Sequence, residues 1–339
     1  MAQVLTGAQV EQYRTDGYTL AGGIFTPAEL DVLERELDEL MQRRLRNAAP
    51  MDATWQGDWK DTLAAQSSAA GQFSAPVGGG PSAGRTTAPA AQAAGAATAV
   101  AAPANRAAPA AAAPANRAAP AVAAPANRAV PAVAAQTAPA VKTELLHTHD
   151  VQAYSAAWAR VLTHERFTAA LADLLGPNVA LHHTKGFLKP PERGSAFPMH
   201  QDYPYFPHTL GTMLAAIIHL SDATEEMGCF RVYPGTHRRG PLPVVNDQQP
   251  YVDPHEWPIA GATPVPARRG DVVFFSYLLV HGSDINRSSR TRKTVLVQVR
   301  DAADHPQYTH RDNSHALGLI LRGVNPLLNG ETLAAGSGT

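Results

Sequence analysis

The sequence predicts a mainly β protein with flanking α-helices, in which two sheets pack together as a jelly roll. After Asn178 the chain becomes a series of short β-rich runs separated by Pro and Gly turns, a pattern typical of sandwiches and barrels. Helical periodicity is confined to stretches before that point. A long middle segment, residues 62–141, lacks the large apolar side chains that a core requires. The sheets are therefore expected to come mostly from the C-terminal part of the chain.

Two helical stretches are expected to flank the sheets. Thr26 is typical of a helix N-cap, with Pro27 in the first turn and Glu29 placed to complete a capping box. The leucines that follow repeat on one helical face, at Leu30, Leu33, Leu37 and Leu40. We therefore expect one helix to about Arg46 and a helical pair over roughly residues 155–175.

The strands are predicted from β-rich runs between turns. They span about residues 179–188, 197–206, 212–220, 229–233, 271–280 and 292–300. The run Val272–Val280 is apolar throughout and predicts a strand buried on both faces, with His281 at its end. The last strand instead alternates between an apolar and a more polar face. The apolar face carries Val295, Val297 and Val299, and the other face carries Arg292, Thr294, Leu296 and Gln298.

The middle segment is predicted to be a disordered insertion. It has no acidic residue from Thr62 to Thr143, and Pro-Ala-Asn-Arg recurs every eleven residues from Pro103. Repeated prolines prevent a continuous helix, and small side chains supply no core. Its basic residues leave open weak binding to an acidic surface, beside a role as a plain tether. We thus expect residues 1–61 to be the helical part and residues 142–339 the sheet core of one folded unit, with residues 62–141 between them.

Composition limits the kinds of partner and compartment. The formal net charge of the 339 residues is −1, so nothing favours a nucleic acid or another polyanion as partner. The single cysteine, Cys229, excludes an internal disulfide and fits a reducing compartment. Neither a signal peptide nor an apolar run long enough to span a bilayer is recognisable in the sequence. The expectation is a soluble, cytoplasmic protein.

Three side chains predict a metal site. In an extended strand, positions i and i+2 share a face, so His200 and Asp202 can converge on one ion. His281, from a distant strand, would complete a set of two imidazoles and one carboxylate. This is the facial triad of non-heme Fe(II) oxygenases, which leaves coordination positions open for chemistry. The alternative partner for a histidine at the end of a buried strand is a backbone carbonyl.

Arg292 supports this interpretation independently. If the polar face of its strand lines a cavity, the guanidinium offers a planar fork that can grip a carboxylate in two places. A metal ion and an inward arginine together can hold a dicarboxylate that chelates the metal at one end. The alternative is an exposed arginine on an edge strand.

Several sequence blocks resemble the phytanoyl-CoA dioxygenase family. In chain order they are Gly186–Pro191, Met199–Tyr203 with Tyr205–Pro207, Gly228–His237, and Gly270–Phe275 running into His281-Gly282-Ser283 and Asn286. Near the N-terminus, Thr15–Tyr18 and Phe25–Leu30 are similar to the opening of that family. The resemblance implies the double-stranded β-helix, the cupin-like form of the jelly roll.

The resemblance also implies cofactors and site residues. His200, Asp202 and His281 would ligate Fe(II), and Arg292 and Ser283 would bind the distal carboxylate of the cosubstrate 2-oxoglutarate, with O2 as second cosubstrate. Lys189 is expected to contact 2-oxoglutarate too, although Lys185 is close by. The family includes halogenases that lack the carboxylate ligand, and Asp202 argues against that activity here.

The implied reaction is oxidation, by default hydroxylation, of an unactivated C–H bond in a small metabolite or natural product, with release of succinate and CO2. The substrate pocket is expected to include His183, Gln201, Tyr203, Tyr205 and Phe206. Two other classes stay open at this stage: a cupin-like divalent-metal hydrolase or isomerase, in which Arg292 binds substrate, and a binding protein without activity.

Overall fold

The computed structural model describes residues 3–46, 146–191, 195–247, 249–307 and 316–326. The predicted insertion at residues 62–141 and both of its boundaries lie outside the described residues, so that division of the chain stays a prediction. The described residues on either side of it belong to one compact unit.

Eleven strands form two antiparallel sheets in this part of the chain. They are β1 (Tyr18–Ala21), β2 (Leu146–His149), β3 (Val179–Lys189), β4 (Phe197–His200), β5 (Leu214–His219), β6 (Phe230–Val232), β7 (Thr263–Val265), β8 (Val272–Ser276), β9 (His281–Ser283), β10 (Arg292–Asp301) and β11 (Ile320–Arg322). The large sheet has the order β1-β8-β5-β10-β3-β11, with β2 also paired to β3. The small sheet has the order β4-β9-β6-β7. This two-sheet arrangement confirms the predicted mainly β jelly roll.

Five α-helices accompany the sheets in the described residues. They are α1 (Gly7–Asp16), α2 (Pro27–Arg46), α3 (Val151–Tyr154), α4 (Ala156–Val161) and α5 (Glu165–Leu175). The capping box predicted for α2 is present: Thr26 Oγ1 accepts from the backbone N–H of Glu29, and the Glu29 carboxylate accepts from the backbone N–H of Thr26. No helix in these ranges is both long and apolar enough to cross a membrane.

The helices cover one face of the large sheet and form the main core with it. Val295, Val297 and Val299 of β10 are fully buried in this core, beside leucines of α2 such as Leu37. The apolar face predicted for β10 is thus confirmed. Because side chains alternate along a strand, the other face of the large sheet is left to line the space toward the small sheet.

The predicted strand over residues 271–280 is wrong at its C-terminal end. β8 ends at Ser276, and the backbone then turns, with the N–H of Leu279 donating to the carbonyl of Ser276 at 2.9 Å. His281 begins β9 in the small sheet. The chain therefore changes sheets within one apolar run, which places His281 at a corner between the two sheets.

Candidate metal centre and active site

The structure brings together the three predicted metal ligands. β4 and β9 are paired with His200 opposite His281, and Asp202 lies two residues beyond the end of β4. The possible ligand atoms of the three side chains all lie within 4.8 Å of one another. Asp202 Oδ1 is 3.5 Å from His200 Nε2 and 3.7 Å from His281 Nε2. All three residues are buried.

His200 and Asp202 converge for a different reason from the one predicted. The strand predicted over residues 197–206 ends at His200. Asp202 has helical backbone angles, φ −75° and ψ −20°, and opens a short 3₁₀ turn over Tyr203–Tyr205. Its backbone N–H donates to the carbonyl of Tyr277 at 2.9 Å, which anchors the turn to the sheet corner. A turn, and not the two-residue period of a strand, therefore aims the carboxylate at the histidines.

Backbone carbonyls orient both imidazoles. Nδ1 of His200 is 2.8 Å from the carbonyl oxygen of Pro198, and Nδ1 of His281 is 2.9 Å from that of Leu279. A carbonyl oxygen can only accept, so each Nδ1 carries the proton and each Nε2 presents a lone pair toward Asp202. The sequence left open whether such a histidine binds a metal or a backbone carbonyl. Here the two partners are compatible, because the carbonyl binds Nδ1 and leaves Nε2 for a metal.

A hydrogen bond to Oδ2 orients the Asp202 carboxylate. Gln298 of β10 donates from Nε2 to Asp202 Oδ2 at 3.2 Å, which leaves Oδ1 facing the histidines. Burial opposes ionisation of Asp202, but His281 and His200 favour it more strongly, and the balance lowers its pKa to about 2. Burial, and then the neighbouring His200, lower the pKa of His281 to about 4. Near neutral pH the carboxylate is ionised and His281 is neutral, as metal binding requires.

Arg292 reaches the same cavity from the start of β10. It is buried, and its Nη1 donates to the carbonyl oxygen of Gly228. Its Nε is also buried and has no hydrogen-bond partner among the described residues. Burial lowers the pKa of the guanidinium to about 10, so it stays charged at neutral pH. A buried cation with an unsatisfied donor is suited to an anionic ligand.

Ser283 lines the cavity, and Lys189 lies behind it. Lys189 Nζ donates to Ser283 Oγ and to the carbonyl of Asp284, both at 2.6 Å. Lys189 is fully buried and is the β3 partner of Arg292. Burial, followed by the charge of Arg292, pushes the pKa of Lys189 well below its usual range. Its position suits it to orient Ser283, while direct contact with a cosubstrate stays a prediction.

The residues predicted for the substrate pocket fall into two groups. His183, Tyr205 and Phe206 line the cavity, whereas Gln201 and Tyr203 are not among its lining residues in the described chain. The side-chain amide of Gln201 instead forms hydrogen bonds with backbone groups. Its Nε2 donates to the carbonyls of Gly240 and Leu278, and its Oε1 accepts from the N–H of Leu242. Tyr203 packs against the ring of Tyr277. Both residues are neighbours of the metal ligands in the sequence, but that proximity does not place their side chains in the cavity.

Other residues that line the cavity were not singled out from the sequence as substrate contacts. They include His149, Lys185, Phe187, Phe197, Ile217 and His219. The cavity face predicted for β10 does line the cavity with all four of its residues, Arg292, Thr294, Leu296 and Gln298. The same alternation applied to β3 would have placed His183, Lys185 and Phe187 on one face. The charge on Lys185 matters most: burial lowers its pKa to about 8, so it is mostly protonated near neutral pH.

Comparison with known proteins agrees with this arrangement. The chain is 34% identical over 152 residues to the peroxisomal phytanoyl-CoA dioxygenase of Bos taurus, covering 38% of this chain and 42% of that protein. It is 28% identical over 160 residues to a methylphosphonate hydroxylase of Gimesia maris, covering 46% and 59% of the two chains. The matched segments thus span 42% and 59% of the lengths of these two relatives.

A solved structure has a similar fold. The epimerase SnoN, crystallised with Fe3+, alpha ketoglutarate and nogalamycin RO, superposes with a TM-score of 0.54 at 19% identity, covering 94% of this chain and 96% of SnoN. At this identity the likeness establishes the fold alone. The family model described as Phytanoyl-CoA dioxygenase (PhyH) matches residues 13–294, most of the sequence. This chain belongs to the phytanoyl-CoA dioxygenase family.

Proposed function

We propose that the protein is an Fe(II)- and 2-oxoglutarate-dependent dioxygenase that hydroxylates an unactivated C–H bond of a small metabolite or natural product, releasing succinate and CO2. One observation carries the proposal: a triad of two imidazoles and one carboxylate shares a cavity with a buried arginine that has an unsatisfied donor. The first group suits Fe(II), and the second suits the far carboxylate of 2-oxoglutarate.

The side chains of the triad fit the metal. His200 Nε2, Asp202 Oδ1 and His281 Nε2 would hold Fe(II), since the opposite ring nitrogens and Asp202 Oδ2 are already committed to other partners. Bound Fe(II) supplies the oxidative chemistry that couples decarboxylation of 2-oxoglutarate, with O2, to oxidation of a C–H bond.

Arg292 and Ser283 would hold the cosubstrate in place. The guanidinium offers its charge and its Nε–H to the distal carboxylate. Ser283 Oγ already accepts a hydrogen bond from Lys189 Nζ, so its own hydroxyl proton is available to donate to the same carboxylate. In this arrangement Lys189 acts as a positioning residue.

Aromatic side chains would exclude water and decide which C–H bond lies next to the metal. Phe187, Phe197 and Phe206 line the cavity. The family fold allows several outcomes, since SnoN is an epimerase. Hydroxylation is proposed here as the simplest outcome. The partner is a small molecule, and the proposed location is the cytoplasm, which a single cysteine suits.

Anaerobic titration with Fe(II) and 2-oxoglutarate tests the proposal. A weak visible charge-transfer band is expected for the wild type, and His200→Ala should abolish both this band and succinate release. His255→Ala serves as the control, because His255 is exposed and is not among the described residues that line the cavity. Metal binding without the band would favour a divalent-metal hydrolase or isomerase. Succinate at background in the wild type, unchanged by His200→Ala, would favour a binding protein.

A further inference from the structure

We propose that Lys185 binds an anionic group of the substrate, so that the substrate is a small organic acid, a carboxylate or a phosphonate, with an apolar portion. This inference rests on the proposed function and adds to it a substrate class and a residue that determines specificity.

The position of Lys185 brings its ammonium close to the metal site. On β10, Leu296 is the partner of Lys185, and the next inward-facing position, Gln298, donates to Asp202. Two residues along a strand correspond to about 6.6 Å. A substrate held by Lys185 would therefore share the cavity with the ion that Asp202 helps to bind.

Lys185 lacks the partners that the other described lysines have. Lys189 donates to Ser283 and Asp284, and Lys293 forms ion pairs with Glu34 and Asp38 at 2.9 and 2.6 Å. The backbone of Lys185 pairs with both neighbouring strands, but its side chain forms neither a hydrogen bond nor an ion pair with any residue of the described ranges. Its Nζ lies 5.3 Å from the centre of the Phe187 ring. A partly buried ammonium over an aromatic ring, without an acceptor, can form a charge-assisted hydrogen bond with an anionic ligand.

The charge balance of the cavity points the same way. Among the described lining residues, Lys185 and Arg292 are the lysine and arginine side chains, and Asp202 is the one carboxylate. The two charges of 2-oxoglutarate would offset those of Fe(II), and the single charge of Asp202 would offset one of the two cations. One positive charge is then left without a counterion. Asp202 accepts no hydrogen bond from Lys185, because both of its oxygens face other groups.

The apolar side chains of the cavity indicate what the rest of the substrate is like. Phe187 and Phe197 pack edge to face at 5.6 Å, and both line the cavity together with Phe206 and Ile217. An alkyl or aryl portion would bury itself against these side chains while the acid group stays at Lys185.

Calorimetry tests the assignment. Butyrate, propylphosphonate and the neutral analogue butyramide are each titrated into anaerobic protein that holds Fe(II) and saturating 2-oxoglutarate. At least one of the acids is expected to bind the wild type more tightly than butyramide does. Lys185→Met should weaken acid binding at least about ten-fold and leave butyramide unchanged, and Lys185→Arg should restore most of the affinity. The acid that binds more tightly identifies the headgroup.

Lys293→Met is the matched control, since Lys293 lies on the same sheet but pairs with α2 outside the cavity. Thermal melts show whether each variant is folded. If Lys185→Met does not fold, the charge-conserving variant Lys185→Arg keeps the test valid. The inference fails if neither acid binds the wild type, or if Lys185→Met binds both acids as tightly as the wild type does. It also fails if Lys185→Met weakens 2-oxoglutarate binding instead, because Lys185 would then serve the cosubstrate.

The same titrations separate this inference from the proposed function. If 2-oxoglutarate itself gives no binding heat with Fe(II) present, the dioxygenase proposal fails. The acids are then titrated into protein without 2-oxoglutarate, and a loss of affinity in Lys185→Met would still assign the anion site to Lys185.

Discussion

At the residue scale, neighbouring groups determine what the metal ligands can do. Pro198 and Leu279 fix the protonated nitrogen of the two histidines through their carbonyls, and Gln298 fixes one oxygen of Asp202. Such hydrogen bonds orient the ligands before a metal arrives and so reduce the cost of binding it.

Replacing Gln298 tests this role. Gln298→Met removes the donor to Asp202 Oδ2 while keeping a similar volume, so the carboxylate loses its orientation. We expect the Kd for Fe(II) to rise about 10- to 100-fold, measured by anaerobic competition with a chromogenic chelator. Gln42→Met, at an exposed position on α2, is the control. An unchanged Kd for Gln298→Met would show that the hydrogen bond contributes nothing to metal binding.

Replacing Arg292 by lysine tests the geometry of cosubstrate binding. The variant keeps a positive charge but loses the planar fork, so one carboxylate contact is lost. We expect the KM for 2-oxoglutarate to rise about ten-fold or more, with Fe(II) affinity changed less than about two-fold. Arg322→Lys, at a residue paired with Glu165 on α5, provides the comparison. A KM within error of the wild type would exclude Arg292 from cosubstrate binding.

The sequence predicts the triad and Arg292 well because their residue types and spacing are tied to known chemistry. Alternation along β3 would also have placed Lys185 in the cavity beside His183. His149 could not be predicted, because that requires knowing that it pairs with Lys185 across the sheet. The sequence places Gln201 in the pocket because that residue lies between two metal ligands, although alternation along a strand would turn it to the opposite face.

At the element scale, the site depends on corners between the sheets. The run Val272–Val280 is predicted as one strand because its residues are apolar without interruption, yet the chain turns after Ser276. Tyr277, Leu279 and Val280 are as fully buried in the corner as β8 is in the sheet, so hydrophobicity cannot mark the boundary. Helix α1 was also missed, since only Val10 among its residues is buried, although Thr6 and Gln9 form a capping box that could have indicated its start.

The turn before β6 provides a test of one such corner. Gly228 has φ +64°, and a Cβ there would overlap the backbone carbonyl of Asp284. Its own carbonyl accepts from Arg292. We expect Gly228→Ala to lower the free energy of unfolding by more than about 2 kcal/mol, because steric overlap adds to the cost of the left-handed backbone. Weaker 2-oxoglutarate binding should accompany this loss as Arg292 shifts.

Gly23→Ala is the matched control for this prediction. Gly23 has φ +69° but no heavy atom within 4 Å of a built Cβ, so its substitution carries the backbone cost alone, about 1 kcal/mol. Urea denaturation measures both variants. Equal losses in the two would mean that the corner accommodates the methyl group and that the overlap with Asp284 is relieved by a small shift.

At the scale of the whole molecule, the two faces of the large sheet have different surroundings. One face packs with the helices in an apolar core, and the other faces the small sheet across a cavity with polar side chains and a smaller apolar cluster. Several buried histidines of the protein have an energetic consequence. Burial is the largest cause that lowers the pKa of His208, His219 and His281 to about 4 each, and all three are buried.

Stability of the metal-free protein should therefore fall in mild acid. Each of these histidines has a pKa of about 6.5 in the unfolded chain and about 4 in the folded one, so the unfolded state binds more protons between these values. Their contribution is complete above about pH 6.5 and is lost as the pH falls toward 4. Each histidine can change the free energy of unfolding by up to about 1.4 kcal/mol per pH unit in this range. Urea denaturation at a series of pH values gives the slope. His219→Gln should reduce the slope of unfolding free energy against pH by the equivalent of about one proton. His255→Gln, at an exposed position, should leave this slope unchanged. An unaltered slope in His219→Gln would mean that His219 is protonated in the folded state.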